Sequence, residues 1–265
     1  MNLEKARYTM KSLAQKTLGT RGSRLFKHYT SRLFINDDLK ALSDYFGSDK
    51  NTLHQYTEHY HLHFQPFRNV KFNLLEIGIG GYENPWDGGH SLRMWKSYFP
   101  KANIYGLDIM DKSVHDEPRI KTFKGSQTDE KLLTRINEEV GGFNIIIDDG
   151  SHFNEHVITS FQILFPLLNM GGIYVIEDLC TSYWESHPDG IPWGGSKDLN
   201  APFTSMNYLK RLVDGINHEE YSRHTEPPPS SQFIKSMHFY RNLAFVYKDW
   251  NFEGSCESRN PNTVL

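Results

Sequence analysis

The chain has few of the residues that mark several large protein classes. Its two cysteines, Cys180 and Cys256, are too few for a disulfide framework and lack the spacing of a zinc site, which suits a reducing cytoplasm. The formal net charge is −3, so a general nucleic-acid binder is not expected. The chain lacks an apolar run of membrane-spanning length and the apolar core of a secretion signal. We therefore expect a cytoplasmic protein with neither a nucleic-acid nor a membrane partner.

Residues 1–36 differ in composition from the rest of the chain. They are basic and nearly free of acids between Lys5 and Arg32, and their scattered apolar residues predict one or two helices broken near Gly19 and Gly22. An organellar transit segment shares this composition, but we favour a solvated helix or an assembly arm, and with it a homo-oligomer. The predicted division is a helical N-terminal extension, residues 1–36, and a main domain, residues 37–265.

Two apolar runs that each end in paired acids organise the main domain. They are Phe143–Ile147 with Asp148 and Asp149, and Ile173–Ile176 with Glu177 and Asp178. The segment between them, Val157–Leu168, has helical spacing, and strand–helix–strand implies a right-handed parallel unit. The four acids then meet at the edge of the sheet where ligands bind in open α/β folds. Because crowded carboxylates repel one another, we expect a hard divalent cation there, with His152 beside it as a base.

A glycine turn follows an earlier apolar strand, in the sequence Glu76-Ile77-Gly78-Ile79-Gly80-Gly81. The next strand, Asn103–Asp108, ends in an acid that can accept both hydroxyls of a ribose, which indicates a nucleotide ligand. A nicotinamide dinucleotide and S-adenosylmethionine are the two alternatives. The eight-residue loop Tyr82–Gly89 before the next helix, and a carboxylate at Glu76, disfavour pyrophosphate and are compatible with a sulfonium cation. This pattern favours S-adenosylmethionine.

The remaining segments complete an α/β pattern. Helices are expected after Asp37-Asp38 and at Leu53–Phe67, Ser91–Tyr98, Asp129–Val140 and Ser205–Asn217. A short strand at Ile120–Gly125 and a terminal hairpin, Ile234–Phe239 with Leu243–Lys248, join the strands already named. Together they predict a Rossmann-like domain with a seven-stranded, mostly parallel sheet and an antiparallel terminal hairpin. The aromatic-rich, aperiodic segment Cys180–Phe203 is expected to form an ordered lid over the site.

Four of these motifs together resemble the class I S-adenosylmethionine-dependent methyltransferases. They are Leu74-Leu75-Glu76-Ile77-Gly78, Tyr105-Gly106-Leu107-Asp108, Asp148-Asp149-Gly150-Ser151-His152 and Val175-Ile176-Glu177-Asp178. More narrowly, with Gly47-Ser48-Asp49-Lys50 and Ser91-Leu92-Arg93-Met94-Trp95, the chain resembles the metal-dependent sugar O-methyltransferases of macrolide and related natural-product pathways. The resemblance runs from about Ala41 to Lys248.

The resemblance implies a function and a set of site residues. The function is magnesium-dependent transfer of a methyl group from S-adenosylmethionine to a sugar hydroxyl of a glycosylated natural product. Asp149, Glu177 and Asp178 match the magnesium ligands, and His152 matches the general base. The residues that match contacts to the methyl donor are Glu76, Gly78, Gly80, Gly81, Tyr82, Ser91, Asp108, Gly125, Ser126 and Asp149.

Other interpretations of the same residues stay open. A catechol-type O-methyltransferase acting on a small diol would need the same cation and base. A nicotinamide-dependent oxidoreductase and a non-catalytic cofactor-binding protein are alternatives of different classes. The acid after the fourth strand can orient substrate without a metal, and His152 can cap a helix instead of acting as a base. The lid aromatics Tyr183, Trp184 and Trp193 suit either a sugar platform or the lid's own core.

Overall fold

The computed structural model describes residues 22, 26–222 and 224–256. These residues group into two compact units. The smaller unit comprises the described residues of Met1–Val70 with Gly89–Lys101, and the larger comprises those of Lys71–Gly88 with Ala102–Leu265. The division predicted at residue 36 stays a prediction, and the predicted break near Gly19 lies outside the described residues. None of the described helices combines the length and apolar character that crossing a membrane requires.

The smaller unit is helical. Residues 26–34 are helical, and they are followed by α1 (Leu39–Phe46), α2 (Thr57–Phe64) with a short 3-10 turn, and α3 (His90–Tyr98). Helix α1 begins after Asp37-Asp38, as predicted. Asp38 caps it by accepting a hydrogen bond from the Ala41 N–H at 2.9 Å, and the left-handed Gly47 ends it. The prediction of one helix from Leu53 was wrong, because Gln55 has a φ of 56° and a helix cannot continue through a left-handed residue.

The larger unit contains one seven-stranded sheet in the order β3-β2-β1-β4-β5-β7-β6. Its strands are β1 (Asn73–Ile77), β2 (Asn103–Asp108), β3 (Ile120–Lys124), β4 (Ile145–Asp148), β5 (Ile173–Ile176), β6 (Ile234–Tyr240) and β7 (Leu243–Lys248). Its helices are α4 (Glu130–Val140), α5 (Asn154–Leu167), α6 (Ser205–Ile216) and α7 (His218–Tyr221). Strands β1 to β5 pair in parallel, and β7 runs antiparallel to both β5 and β6. The predicted fold class is therefore confirmed.

Three features of the larger unit differ from prediction. Helix α5 begins at Asn154, three residues before Val157, because its first turn is held by a buried polar residue that apolar spacing does not reveal. The segment after α6, for which the sequence predicted no helix, contains the short helix α7, and the predicted lid begins with a 3-10 helix, Leu179–Tyr183. Strands β4 and β5 are buried along their whole length, as their apolar runs predicted.

A buried lysine fastens the C-terminal end of α5 to the last strand. The Lys248 Nζ donates hydrogen bonds to the carbonyls of Pro166 and Leu168, both at 2.7 Å. Burial lowers the pKa of the Lys248 ammonium. A cation at this end of a helix satisfies carbonyls that have no partner within the helix.

Lys248→Met is expected to reduce the free energy of unfolding by about 1–3 kcal/mol, because the two carbonyls lose a charged donor that methionine cannot replace. Urea unfolding measures this difference. The matched control is Lys235→Met, which removes an exposed pair with Glu253 (Nζ to Oε1 2.9 Å) and should change stability by no more than about 0.5 kcal/mol. Equal effects of the two substitutions would show that Lys248 has no role in capping α5.

Candidate active site

The carboxyl ends of four parallel strands meet at one edge of the sheet. The strand register places the end of β1 beside the ends of β2 and β4, and the end of β4 beside that of β5. The predicted site residues of the larger unit lie in or directly after these strands and β3: Glu76, Gly78, Gly80, Gly81, Tyr82, Asp108, Gly125, Ser126, Asp149, His152, Glu177 and Asp178. Ser91 belongs to the smaller unit, as the second residue of α3, and its contact with a cofactor stays a prediction.

The glycine turn after β1 is bound to the ends of its two neighbouring strands. Asp108 accepts hydrogen bonds from the N–H groups of Ile79 and Met110, one on each carboxylate oxygen and both at 2.9 Å. Gly78 has a φ of 87°, and a Cβ there would lie 1.9 Å from the Asp149 carbonyl oxygen. Only glycine fits this approach, so the turn is held against the backbone that carries the acids of β4.

A buried lysine holds the loop that follows the glycine turn. The Lys112 ammonium, 1% exposed, donates to the carbonyls of Tyr82, Asn84 and Asp87 at 3.0, 2.8 and 3.3 Å. The three N–H donors of the ammonium therefore bind three carbonyls of one loop, in the way that a metal cation would bind them. The sequence did not predict this contact, because Lys112 lies 25 to 30 residues from the loop and in no recognisable motif.

Four carboxylates and one histidine form two overlapping groups at the sheet edge. Oxygens of Glu76, Asp149 and Glu177 lie within 4.8 Å of one another, and Asp149 groups in the same way with His152 and Asp178. The predicted magnesium ligands Asp149, Glu177 and Asp178 are thus divided between two groups, which share Asp149. Glu76 is a further carboxylate, in the same group as Glu177. Glu76 and Glu177 are only 0% and 3% exposed, and buried carboxylates this close destabilise the ionised state unless a cation lies among them. Oxygen donors of this kind fit magnesium.

His152 lies beside the two more accessible acids. Its Nε2 is 3.6 Å from an Asp178 oxygen and 4.0 Å from an Asp149 oxygen. Both His152 and Asp178 have left-handed backbones, with φ of 58° and 52°. Such a conformation costs about 1–3 kcal/mol for a residue with a side chain, and residues of this kind concentrate at functional sites. These two strained residues bring an imidazole and a carboxylate to within 3.6 Å of each other.

Asp148 is a buried residue whose hydrogen bonds hold the turn that follows β4. Its carboxylate is fully buried, which raises its pKa to about 6, and it accepts hydrogen bonds from Ser160 Oγ at 2.5 Å and Gln127 Nε2 at 3.1 Å. The Gln127 carbonyl oxygen in turn accepts from the Ser151 N–H at 2.8 Å. Asp148 therefore fixes the turn that carries Asp149 and His152, and neither Gln127 nor Ser160 was predicted from the sequence.

Residues 179–196 form an ordered loop, which we call the lid loop. Its residues 185–193 fold back on themselves, with Trp193 N–H donating to the Glu185 carbonyl at 3.0 Å and His187 N–H to the Ile191 carbonyl at 2.8 Å. The Gly195 N–H closes the loop on the Trp184 carbonyl at 3.1 Å. Trp193 then reaches the acidic site, where its ring stacks near His152 at a centroid distance of 6.3 Å.

Comparisons with known proteins agree with this architecture. The chain matches no family model. It is 48% identical over 221 residues to the mycinamicin VI 2''-O-methyltransferase of Micromonospora griseorubida, covering 82% of this chain and 54% of that protein. It is 41% identical over 266 residues to the demethylmacrocin O-methyltransferase of Streptomyces fradiae, covering 91% and 66%. The solved MycE methyltransferase in complex with Mg, SAH and mycinamycin VI has a TM-score of 0.76 at 49% identity, covering 82% of this chain and 55% of that one.

The sheet order and the glycine turn are those of a class I methyltransferase. The chain belongs to the class I S-adenosylmethionine-dependent methyltransferases, and its homologues at 41–48% identity are macrolide and rhamnosyl sugar O-methyltransferases. The chain spans 53–66% of the length of these curated relatives.

Proposed function

We propose that the chain is a sugar O-methyltransferase that moves a methyl group from S-adenosylmethionine to a hydroxyl of a glycosylated natural product, with magnesium. The observation that carries the proposal is the cluster of carboxylates within 4.8 Å of one another, with His152 at its edge. The solved relative bound to Mg, SAH and mycinamycin VI supports it. The proposal includes a cytoplasmic homo-oligomer with neither nucleic acid nor a membrane as partner.

Asp149, Glu177 and Asp178 would hold the magnesium ion, with Glu76 as a further carboxylate of the cluster. When bound, magnesium lowers the pKa of a coordinated sugar hydroxyl, which is otherwise a poor nucleophile. His152 would accept the hydroxyl proton at Nε2, the ring atom that lies 3.6 Å from an Asp178 oxygen and 4.0 Å from an Asp149 oxygen. The lid loop would exclude water from the reacting groups.

The glycine turn and the acid of β2 would bind the methyl donor. Glycines 78, 80 and 81 all have positive φ, so their backbone can approach a ligand without side-chain obstruction. Each Asp108 oxygen accepts one backbone N–H and keeps a lone pair that can accept a ribose hydroxyl. Glu76 adds a buried negative charge that suits a ligand carrying a sulfonium and an ammonium group.

Asp108→Ala is expected to raise the dissociation constant for S-adenosylhomocysteine by about tenfold or more, because it removes the ribose acceptor and both hydrogen bonds that fix the turn. Isothermal titration calorimetry measures the change. The matched control is Asp111→Ala, which removes a nearby exposed carboxylate that accepts hydrogen bonds from the N–H and the side chain of Ser113, and affinity should be unaltered. An unchanged dissociation constant in Asp108→Ala would mean that the ribose is held elsewhere.

Methyl transfer from a radiolabelled donor tests the function directly. Rhamnosylated or other glycosylated polyketides are offered beside a catechol, each with magnesium, and label is expected only on the sugar of the glycosides. Label on the catechol alone would replace the sugar acceptor with a small diol. Binding of the donor without transfer to any acceptor would make the chain a non-catalytic binder, and binding of a nicotinamide dinucleotide instead would indicate an oxidoreductase.

A further inference from the structure

The His152 imidazole makes no short hydrogen bond with the described residues. Among the described residues, its imidazole has the two carboxylate oxygens at 3.6 and 4.0 Å and one aromatic neighbour, Trp193. Both carboxylate distances exceed that of a normal hydrogen bond. The left-handed backbone sets where the side chain begins but does not by itself fix its torsions. No hydrogen bond with the described residues therefore fixes the orientation of the imidazole, and the indole of Trp193 is the aromatic surface beside it.

Trp193 presents a flat surface to that imidazole. The two rings lie 20° from parallel with centroids 6.3 Å apart, within the range of offset stacking. His187 stacks on the same indole at 5.4 Å and 10°, and Trp184 contacts it edge-on at 5.5 Å. The indole Nε1 is buried and makes no hydrogen bond with the described residues. Among the described residues, ring contacts and not a hydrogen bond therefore orient the indole ring.

One buried residue joins Trp193 to the turn that carries His152. Asn154, 1% exposed, donates to the Trp193 carbonyl from its backbone N–H at 3.0 Å and from its Nδ2 at 2.9 Å. The same Nδ2 donates to the Thr181 carbonyl at 3.1 Å, and the Oδ1 accepts from the Ser205 N–H at 2.7 Å. Asn154 follows His152 by two residues. Its hydrogen bonds therefore join the turn that carries His152 to both ends of the lid loop, at Thr181 and at Trp193.

We propose that Trp193 is a positioning residue for His152, through which the ordered lid loop sets the orientation of the base toward the acceptor. The inference rests on the proposed function, because it assigns His152 the role of base. The indole restricts rotation of the imidazole and shields one side of it from water. An error of about 1 Å in the position of a catalytic group can lower a rate by about 100-fold, so loss of this contact should affect turnover and not cofactor binding.

Steady-state kinetics of three Trp193 variants test the assignment. Trp193→Ala and Trp193→Leu, which lack a planar ring, should lower kcat by about 10- to 100-fold and leave the KM for S-adenosylmethionine unchanged. Trp193→Phe keeps an aromatic face without the unpaired N–H and should restore most of kcat. The control is Trp250→Ala, an exposed tryptophan outside the lid loop, with wild-type kcat. Wild-type kcat in Trp193→Leu would overturn the inference, as would failure of Trp193→Phe to exceed Trp193→Leu.

A second measurement does not require turnover. The ring-proton resonances of His152, assigned by their absence in His152→Ala, carry a ring-current shift from the stacked indole. This shift should be lost in Trp193→Leu and kept in Trp250→Ala. If the wild-type chain methylates none of the acceptors, the proposed function fails. These resonances still show whether the Trp193 indole contacts the His152 imidazole. Unchanged His152 resonances in Trp193→Leu would overturn the inference even where the enzyme is active.

Discussion

His152→Ala is expected to lower kcat for sugar methylation by about 100-fold or more while the affinity for S-adenosylhomocysteine stays near that of the wild type. The imidazole lies at the edge of the carboxylate cluster, with Nε2 3.6 Å from Asp178 and 4.0 Å from Asp149. Under the proposed function, its removal would leave the sugar hydroxyl without a positioned proton acceptor. The contacts proposed for the methyl donor, such as Asp108, do not involve this side chain. Chemistry should therefore be impaired and binding preserved.

The control for this prediction is His224→Ala, an exposed histidine that belongs to neither group of the cluster. Rates are measured with both substrates saturating, and cofactor binding is measured by calorimetry. Equal losses of kcat and cofactor affinity in His152→Ala would indicate collapse of the turn that carries it. A wild-type kcat would exclude the residue as the base.

The features that could be predicted from the sequence are those that local pattern encodes. Strands β4 and β5 are continuous apolar runs because both of their faces are buried, and such runs are visible without a structure. The proximity of the acids at their ends could also be predicted, because the carboxyl ends of parallel strands lie at the same edge of a sheet. Gln55 shows the limit, since nothing in its neighbourhood indicates the left-handed backbone that delays the start of α2.

The features that could not be predicted depend on contacts between distant residues. Gln127 reaches Asp148 across 21 residues, and Asn154 reaches the Trp193 carbonyl across 39. Single hydrogen bonds of this kind leave no periodicity in a sequence. Glu76 was predicted only as a contact to the methyl donor, and its membership of the carboxylate cluster follows from the register of β1 against β4.

Removal of divalent cations with EDTA is expected to abolish turnover, and added magnesium should restore it. Asp149 is the residue to alter, because it is the one acid that both groups of the cluster share. Asp149→Asn should remove magnesium-dependent activity altogether. The control, Asp214→Asn, alters an exposed carboxylate on α6 and should keep full activity.

The same variant should also change stability, with a sign that depends on the cation. In metal-free buffer Asp149→Asn should be at least as stable as the wild type, because it removes one charge from a crowded cluster that contains the buried Glu76 and Glu177. Magnesium at about 100 times its dissociation constant should stabilise the wild type by about 2.7 kcal/mol and the variant far less. Thermal unfolding with and without magnesium measures both effects. An equal gain in Asp149→Asn would place the ion elsewhere, and a variant less stable than the wild type without metal would show that the carboxylates are not in mutual repulsion.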